Sequence, residues 1–165
     1  MQPRERTIAW DDPVAAAAGA KGLSGLEYMH RIAAGEIPPP PMAVLLGFEL
    51  VEVSEGRAVF AVTPQEFHYN PIGVVHGGLA ATLLDSAMGC AVQSTLDAGT
   101  GYTTLDLNTT FLRPMTVDTG RVVCEAVVIH TGGRVATAEG RVFSASTGKL
   151  IATGTCSCVI LQPES

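Results

Sequence analysis

Asn70-Pro71-Ile72-Gly73-Val74-Val75-His76-Gly77-Gly78 leads into Leu79-Ala80-Ala81-Thr82-Leu83-Leu84-Asp85-Ser86-Ala87-Met88-Gly89-Cys90-Ala91-Val92, an apolar run that continues to Leu96 and holds one carboxylate. Its length and its Ala and Leu content predict a buried helix, and the two glycines before it let backbone approach something closely. The first amides of such a helix point outward unpaired, with a positive end of roughly half an elementary charge, and suit an anion or a developing oxyanion. Asp85 needs a reason to be there, because burying an unpaired carboxylate is costly unless its pKa shifts or it gains partners. It lies two turns beyond Gly78, roughly 10 Å along the axis, too far to serve the start of its own helix. A second copy of the helix, packed antiparallel in a dimer, brings Asp85 to the Gly77 amide of its partner, so the expected site is shared between chains.

Strands are legible on both sides of this helix. Phe48 to Val53 and Arg57 to Val62 form a hairpin turned by Ser54-Glu55-Gly56. After the helix, Tyr102 to Leu112 alternates, with Leu105, Leu107, Thr109 and Phe111 on one face and Asp106, Asn108 and Thr110 on the other. Gly120 to His130, Arg134 to Ser144 and Leu150 to Leu161 follow, separated by turns. Strands, one buried helix and then consecutive antiparallel strands make an α+β architecture. Upstream, Leu23 to Ala34 reads as a short helix with Leu23, Leu26, Met29 (or His30) and Ala33 at helical spacing, after which Pro38 to Pro41 stop any helix and extend the chain. The expected organisation is an N-terminal extension over residues 1–40, with its short helix and Pro-rich linker, and one domain over residues 41–165.

Composition agrees. A chain of 165 residues with 47% hydrophobic and 16% charged residues suits one globular domain, and surplus apolar surface suits burial between subunits. The net charge of −6 argues against a general nucleic-acid or anionic-membrane surface, while Arg113, Arg134 and Arg141 are candidates for a local patch that pairs with phosphates. Cys90, Cys124, Cys156 and Cys158 lie inside apolar patterns without zinc-like spacing, which predicts reduced, buried thiols. Cys156 and Cys158 point to one strand face and run side by side, which disfavours a disulfide between them. The opening residues, Met1-Gln2-Pro3-Arg4-Glu5-Arg6, do not read as a signal peptide, and no apolar stretch is long enough to span a bilayer, so a cytoplasmic location is expected.

The chain resembles the hotdog-fold acyl-CoA thioesterases of the phenylacetate-degradation (PaaI-like) type. The resemblance rests on Asn70 six residues before His76, on His76-Gly77-Gly78, on Asp85 nine residues after His76, and on Phe111-Leu112-Arg113-Pro114. Tyr102 to Leu107, Gly132-Gly133-Arg134 and Ala152-Thr153-Gly154-Thr155 fit more loosely, in the family's order. The resemblance implies a curved antiparallel sheet wrapped around one long central helix, and hydrolysis of an acyl-CoA to free acid and CoA. It makes Asp85 the general base or the nucleophile, the Gly77 amide the oxyanion donor, and Asn70 the group that orients the thioester carbonyl or the water. His76, which looks like a catalytic base, by resemblance orients the loop and the helix start or helps bind the acyl carbonyl, and Thr104 aligns with a position that holds the water in some relatives, with Thr103 its neighbour on the opposite strand face. Gly78, Arg113, Gly133 and Arg134 would meet the substrate and its CoA phosphates. No metal or redox cofactor is implied, and the partners are the acyl-CoA and a second copy of the chain, as a homodimer or a homotetramer built from two such dimers.

Bland readings stand beside these. Asp85 as a structural acid bonded to a backbone amide or to Asn70, Gly77 as a tight turn and Asn70-Pro71 as a turn initiator all satisfy the sequence. Tyr69, His68 and Phe111 suit an aromatic acyl group, or the core, or an interface. Hotdog dehydratases and hydratases pair a His with an acid in places where this chain has Cys90, so neither pairing exists here. A non-catalytic acyl-CoA binder would use the same cleft.

Overall fold

The computed structural model describes residues 3–162, so the outermost residues of the expected extension and domain, 1–2 and 163–165, lie outside it. The apolar run forms the longest helix, α4 (Gly77–Gln93), preceded by α1 (Pro13–Ala18), α2 (Gly25–Ala33) and α3 (Pro41–Leu46). Six strands complete the fold: β1 (Phe48–Ser54), β2 (Arg57–Val62), β3 (Gly101–Phe111), β4 (Val122–Thr131), β5 (Val135–Ser144) and β6 (Leu150–Leu161). They form one sheet in the order β1-β2-β4-β5-β6-β3 with every pair antiparallel, and α4 touches all six. This is the sheet wrapped around a central helix that was expected.

Leu83, Leu84, Ala87, Met88, Ala91 and Val92 turn the buried face of α4 toward the sheet. Close approach is made possible by Gly140 and Gly154, cross-strand partners on β5 and β6: a Cβ added at either would come within 2.9 or 3.1 Å of the Leu84 methyls. The sheet leaves one stripe of α4 half-covered, along Gly78, Ala81, Thr82, Asp85, Ser86, Cys90 and Gln93. Asp85 is therefore half-buried at the margin of the core instead of sealed inside it.

Three local features depart from the sequence reading. Pro41 does not extend the chain; with Pro40 at the N-cap it occupies the first turn of α3, where a missing N–H costs nothing. Helix α2 buries Met29, leaves His30 and Ala33 exposed, and docks through Gly25, whose amide donates to Leu96 O (2.9 Å) at a point where a Cβ would strike Gln93 O. The third is a bulge in β3: Thr104 pairs with Cys158 and Asp106 with Ser157, leaving Leu105 as an extra residue, 59% exposed. Regular alternation would place Thr104 and Leu107 on opposite faces. The bulge puts Tyr102, Thr104, Leu107 and Thr109 together on the half-buried face toward α4, with Leu105 outside.

Candidate active site

Helix α4 opens on His76, which serves as its N-cap: His76 Nδ1 accepts the Gly78 amide at 2.8 Å. A side chain at Gly78 would meet that imidazole at 2.8 Å, and one at Gly77 would meet the Phe111 ring at 3.2 Å, so a substitution at either position must displace the neighbouring ring. The Gly77 amide itself makes no hydrogen bond among the described residues.

The loop before α4 is held from several sides. Asn70 Oδ1 accepts the Ile72 and Val74 amides (3.1 and 3.3 Å), an arrangement that assigns Oδ1 to the loop and leaves Nδ2 without a partner among the described residues. Val75 N donates to Met115 O and His76 N to His68 O. His68 is buried: its Nδ1 accepts the Gln65 amide (3.0 Å) and its Nε2 donates to Leu46 O (2.9 Å), which fixes a neutral tautomer. Burial, against the opposing pull of the Leu46 bond, holds its pKa below the usual histidine value. Tyr69 Oη accepts the Val117 amide (3.0 Å). His68 and Tyr69, candidates for an aromatic acyl group, thus frame the loop, while Phe111 does line a cleft.

That cleft, about 290 Å³, runs beside the first turn of α4. Asn70, Gly77, Phe111 and Arg113 stand around it, so the structure brings together four of the residues singled out in the sequence. Its apolar walls, above all Met115 and Ile151, were not foreseen; the Phe111-Leu112-Arg113-Pro114 segment was the only signal that this stretch mattered.

Asp85 and Thr104 form a second centre, about 12 Å along α4 from Gly77. The Thr104 hydroxyl donates to Asp85 Oδ1 at 3.0 Å, and neither Asn70 nor a backbone amide bonds the carboxylate. The bulge selects Thr104 over Thr103 for this contact. Below them, Cys156 and Cys158 are reduced with sulfurs 3.9 Å apart, and Cys158 is the strand partner of Thr104. Burial pushes the Cys90 and Cys156 thiols up to about 12, with the Asp85 charge adding a smaller push in the same direction.

The arginines do not form one patch within the chain. Arg113 N donates to Ile151 O, and Arg134 O accepts Ile160 N, so the two lie at opposite ends of β6, roughly 30 Å apart. Arg113 also donates from its guanidinium to Leu150 O. Gly133 shares the exposed β4–β5 turn with Arg134, and Arg141 sits mid-strand on β5 opposite Glu125.

With this geometry in place, likeness to known proteins is decisive. The family model described as the thioesterase superfamily matches residues 72–151, and acyl-coenzyme A thioesterase 13 of Homo sapiens is 33% identical over 111 residues, 67% of this chain and 78% of that one. The chain belongs to the thioesterase superfamily. A solved phenylacetic acid degradation-related protein from Ralstonia eutropha is 32% identical to this thioesterase, covering 80% of this chain and 98% of its own with a TM-score of 0.71. The Escherichia coli PaaI protein, 23% identical, shares the fold over 86% of this thioesterase and 97% of its own chain, with a TM-score of 0.72. The matched residues 72–151 include Gly77, Asp85, Thr104 and the whole of α4. No helix among the described residues of the thioesterase is long and apolar enough to cross a membrane.

Proposed function

We propose that this thioesterase hydrolyses acyl-CoA to free acid and CoA in a site shared by two chains. One observation carries the reading: the Asn70 side-chain amide and the Gly77 backbone N–H, two donors without protein partners among the described residues, line one cleft at a helix start. A carbonyl oxygen that becomes negative as its carbon is attacked is the acceptor such a pair suits, and loss of one such donor costs other enzymes roughly 10²- to 10³-fold.

The attacking group is Asp85, as base toward water or as nucleophile forming a mixed anhydride, with the Thr104 hydroxyl orienting it. It cannot reach the Gly77 cleft of its own chain. Strand β3 ends the sheet with one edge unpaired, and it runs antiparallel to α4, with Phe111 against Gly77 and Thr104 against Asp85. A twofold axis through that edge sets the Phe111 end of one chain against the Thr104 end of the other. Asp85 and the Gly133-Arg134 turn of one protomer then approach the Asn70, Gly77 and Arg113 of its partner, which also unites the two arginines for the CoA phosphates. The half-covered stripe of α4 supplies small side chains for the same contact. The chemistry asks for water and carboxylate alone, without metal or redox cofactor, in a cytoplasmic setting where CoA esters are available.

Thiol release from a panel of acyl-CoAs tests this. Asp85→Asn is expected to retain the wild-type melting temperature and lose turnover by roughly 10²- to 10⁴-fold. A folded variant with wild-type rates would remove Asp85 from the chemistry.

A further inference from the structure

Residues 3–12, an irregular segment ahead of α1, reach the turn that precedes the Asn70–Gly77 loop, a contact whose meaning for catalysis rests on the acyl-CoA reading. Helix α3 has only six residues, and its end leaves carbonyls without helical partners. Three of them in a row are taken by side chains from elsewhere. Arg6 donates from its guanidinium to Val44 O (3.2 Å) and Leu45 O (2.8 Å), and His68 Nε2 donates to Leu46 O (2.9 Å). Phe67 lies between the two donors: the Arg6 guanidinium sits over its ring, 3.9 Å from the centroid, and the His68 imidazole meets it edge to face with centroids 4.2 Å apart. Phe67 is 51% exposed, so the core does little to fix it, and the cation stacked on it does more. An exposed ion pair, Arg4 Nε to Glu66 Oε2 (2.5 Å), ties the same two segments a second time and adds little energy.

His68 is where this stack meets the site. Its carbonyl accepts the His76 amide (2.8 Å), and the next residue is Gly77, whose N–H is one of the two proposed oxyanion donors. Asn70, which supplies the other, follows His68 by two positions and is fixed to the loop through Oδ1. Both donors are thus placed relative to His68, and His68 relative to Phe67, Arg6 and the end of α3. We propose that the segment around Arg6 is a strap that sets the oxyanion donors, with Arg6 a positioning residue that acts through Phe67 and His68. Arg6 does not line the cleft beside Gly77, so it acts on geometry and not on the substrate. Donor geometry is where small displacements are felt, since a misplacement of about 1 Å can cost a large factor in rate.

The test compares Arg6→Met, which keeps an apolar chain over Phe67 and removes the charge and both carbonyl contacts, with Arg6→Lys, which keeps a cation at the end of α3. Arg121→Met is the charge-matched control, because Arg121 bonds Glu49 (2.8 Å) instead. Each full-length variant is read twice: by kcat and KM with an acyl-CoA that the wild type hydrolyses, and by amide hydrogen exchange over residues 68–78. Arg6→Met is expected to lower kcat about fivefold or more, a part of the roughly 10²-fold that outright loss of an oxyanion donor costs, with KM within about twofold. Exchange over 68–78 should quicken at an unchanged melting temperature, and Arg6→Lys should recover most of both. Wild-type exchange or wild-type kcat in Arg6→Met would overturn the strap, as would an equal loss of kcat in Arg121→Met or a loss that only tracks a lower melting temperature. If the wild type releases no thiol from any acyl-CoA, the acyl-CoA reading falls and exchange alone decides whether Arg6 holds this loop.

Discussion

Asp85 owes its place to one neighbour. Its carboxylate is half-buried on α4 and takes a single side-chain hydrogen bond, from Thr104, which leaves the second oxygen available for water or a thioester carbon. If Thr104 orients that carboxylate, Thr104→Val is expected to lower kcat about tenfold or more, the value of one hydrogen bond to a charged group. Thr104→Ser should stay within about twofold and Thr103→Val should match wild type; steady-state rates at saturating substrate decide this. Asp85 was legible in the sequence because a lone acid in an apolar run has few explanations. The choice between Thr103 and Thr104 was not, because nothing in Thr103-Thr104-Leu105-Asp106 marks Leu105 as the extra residue. His76 attracts attention as a base, yet its Nδ1 is committed to the Gly78 amide and acts as a helix cap.

At the scale of elements, α4 and the sheet fit because two strands give way to it. Gly140 and Gly154 sit side by side where Leu84 crosses β5 and β6. Gly140→Ala would force a methyl to within 2.9 Å of the Leu84 side chain, and overpacking of that kind costs about 1–3 kcal/mol; urea unfolding should show a lower midpoint with an unchanged slope. The helix and the strands could be read from periodicity, since α4 and all six strands begin and end within a few residues of where the pattern places them. The glycine pair could not, because the sequence shows the glycines and hides the leucine they accommodate. The same holds for Phe111 over Gly77, a contact between segments far apart in the chain. Pro41 shows a local signal with two readings: proline ends helices and also starts them.

The whole molecule has two unlike sheet edges. β1 is short, carries Glu49 and Glu52, and is interrupted by a bulge near Leu50, features that discourage pairing. β3 has eleven residues, is rich in threonine and has Asp106 as its one charged side chain. Pairing through β3 predicts subunit complementation. Asp85→Asn and Gly77→Val chains, each inactive alone, should recover about one quarter of wild-type activity when unfolded together and refolded as a mixture, since random pairing makes half the dimers mixed, each with one intact site. Sites contained within single chains would recover nothing. Sedimentation should find the dimer as the smallest active species.

Thioester hydrolysis liberates a thiol at every turnover, and a thiol product can be captured by a reactive protein cysteine in an oxidising moment. With Cys90 and Cys156 pushed up to about 12, the thiolate fraction of each at neutral pH is on the order of one part in 10⁵, and the thiolate is the species that exchanges. Cys90 and Cys156 are thereby poor partners for exchange with the thiol that each turnover releases.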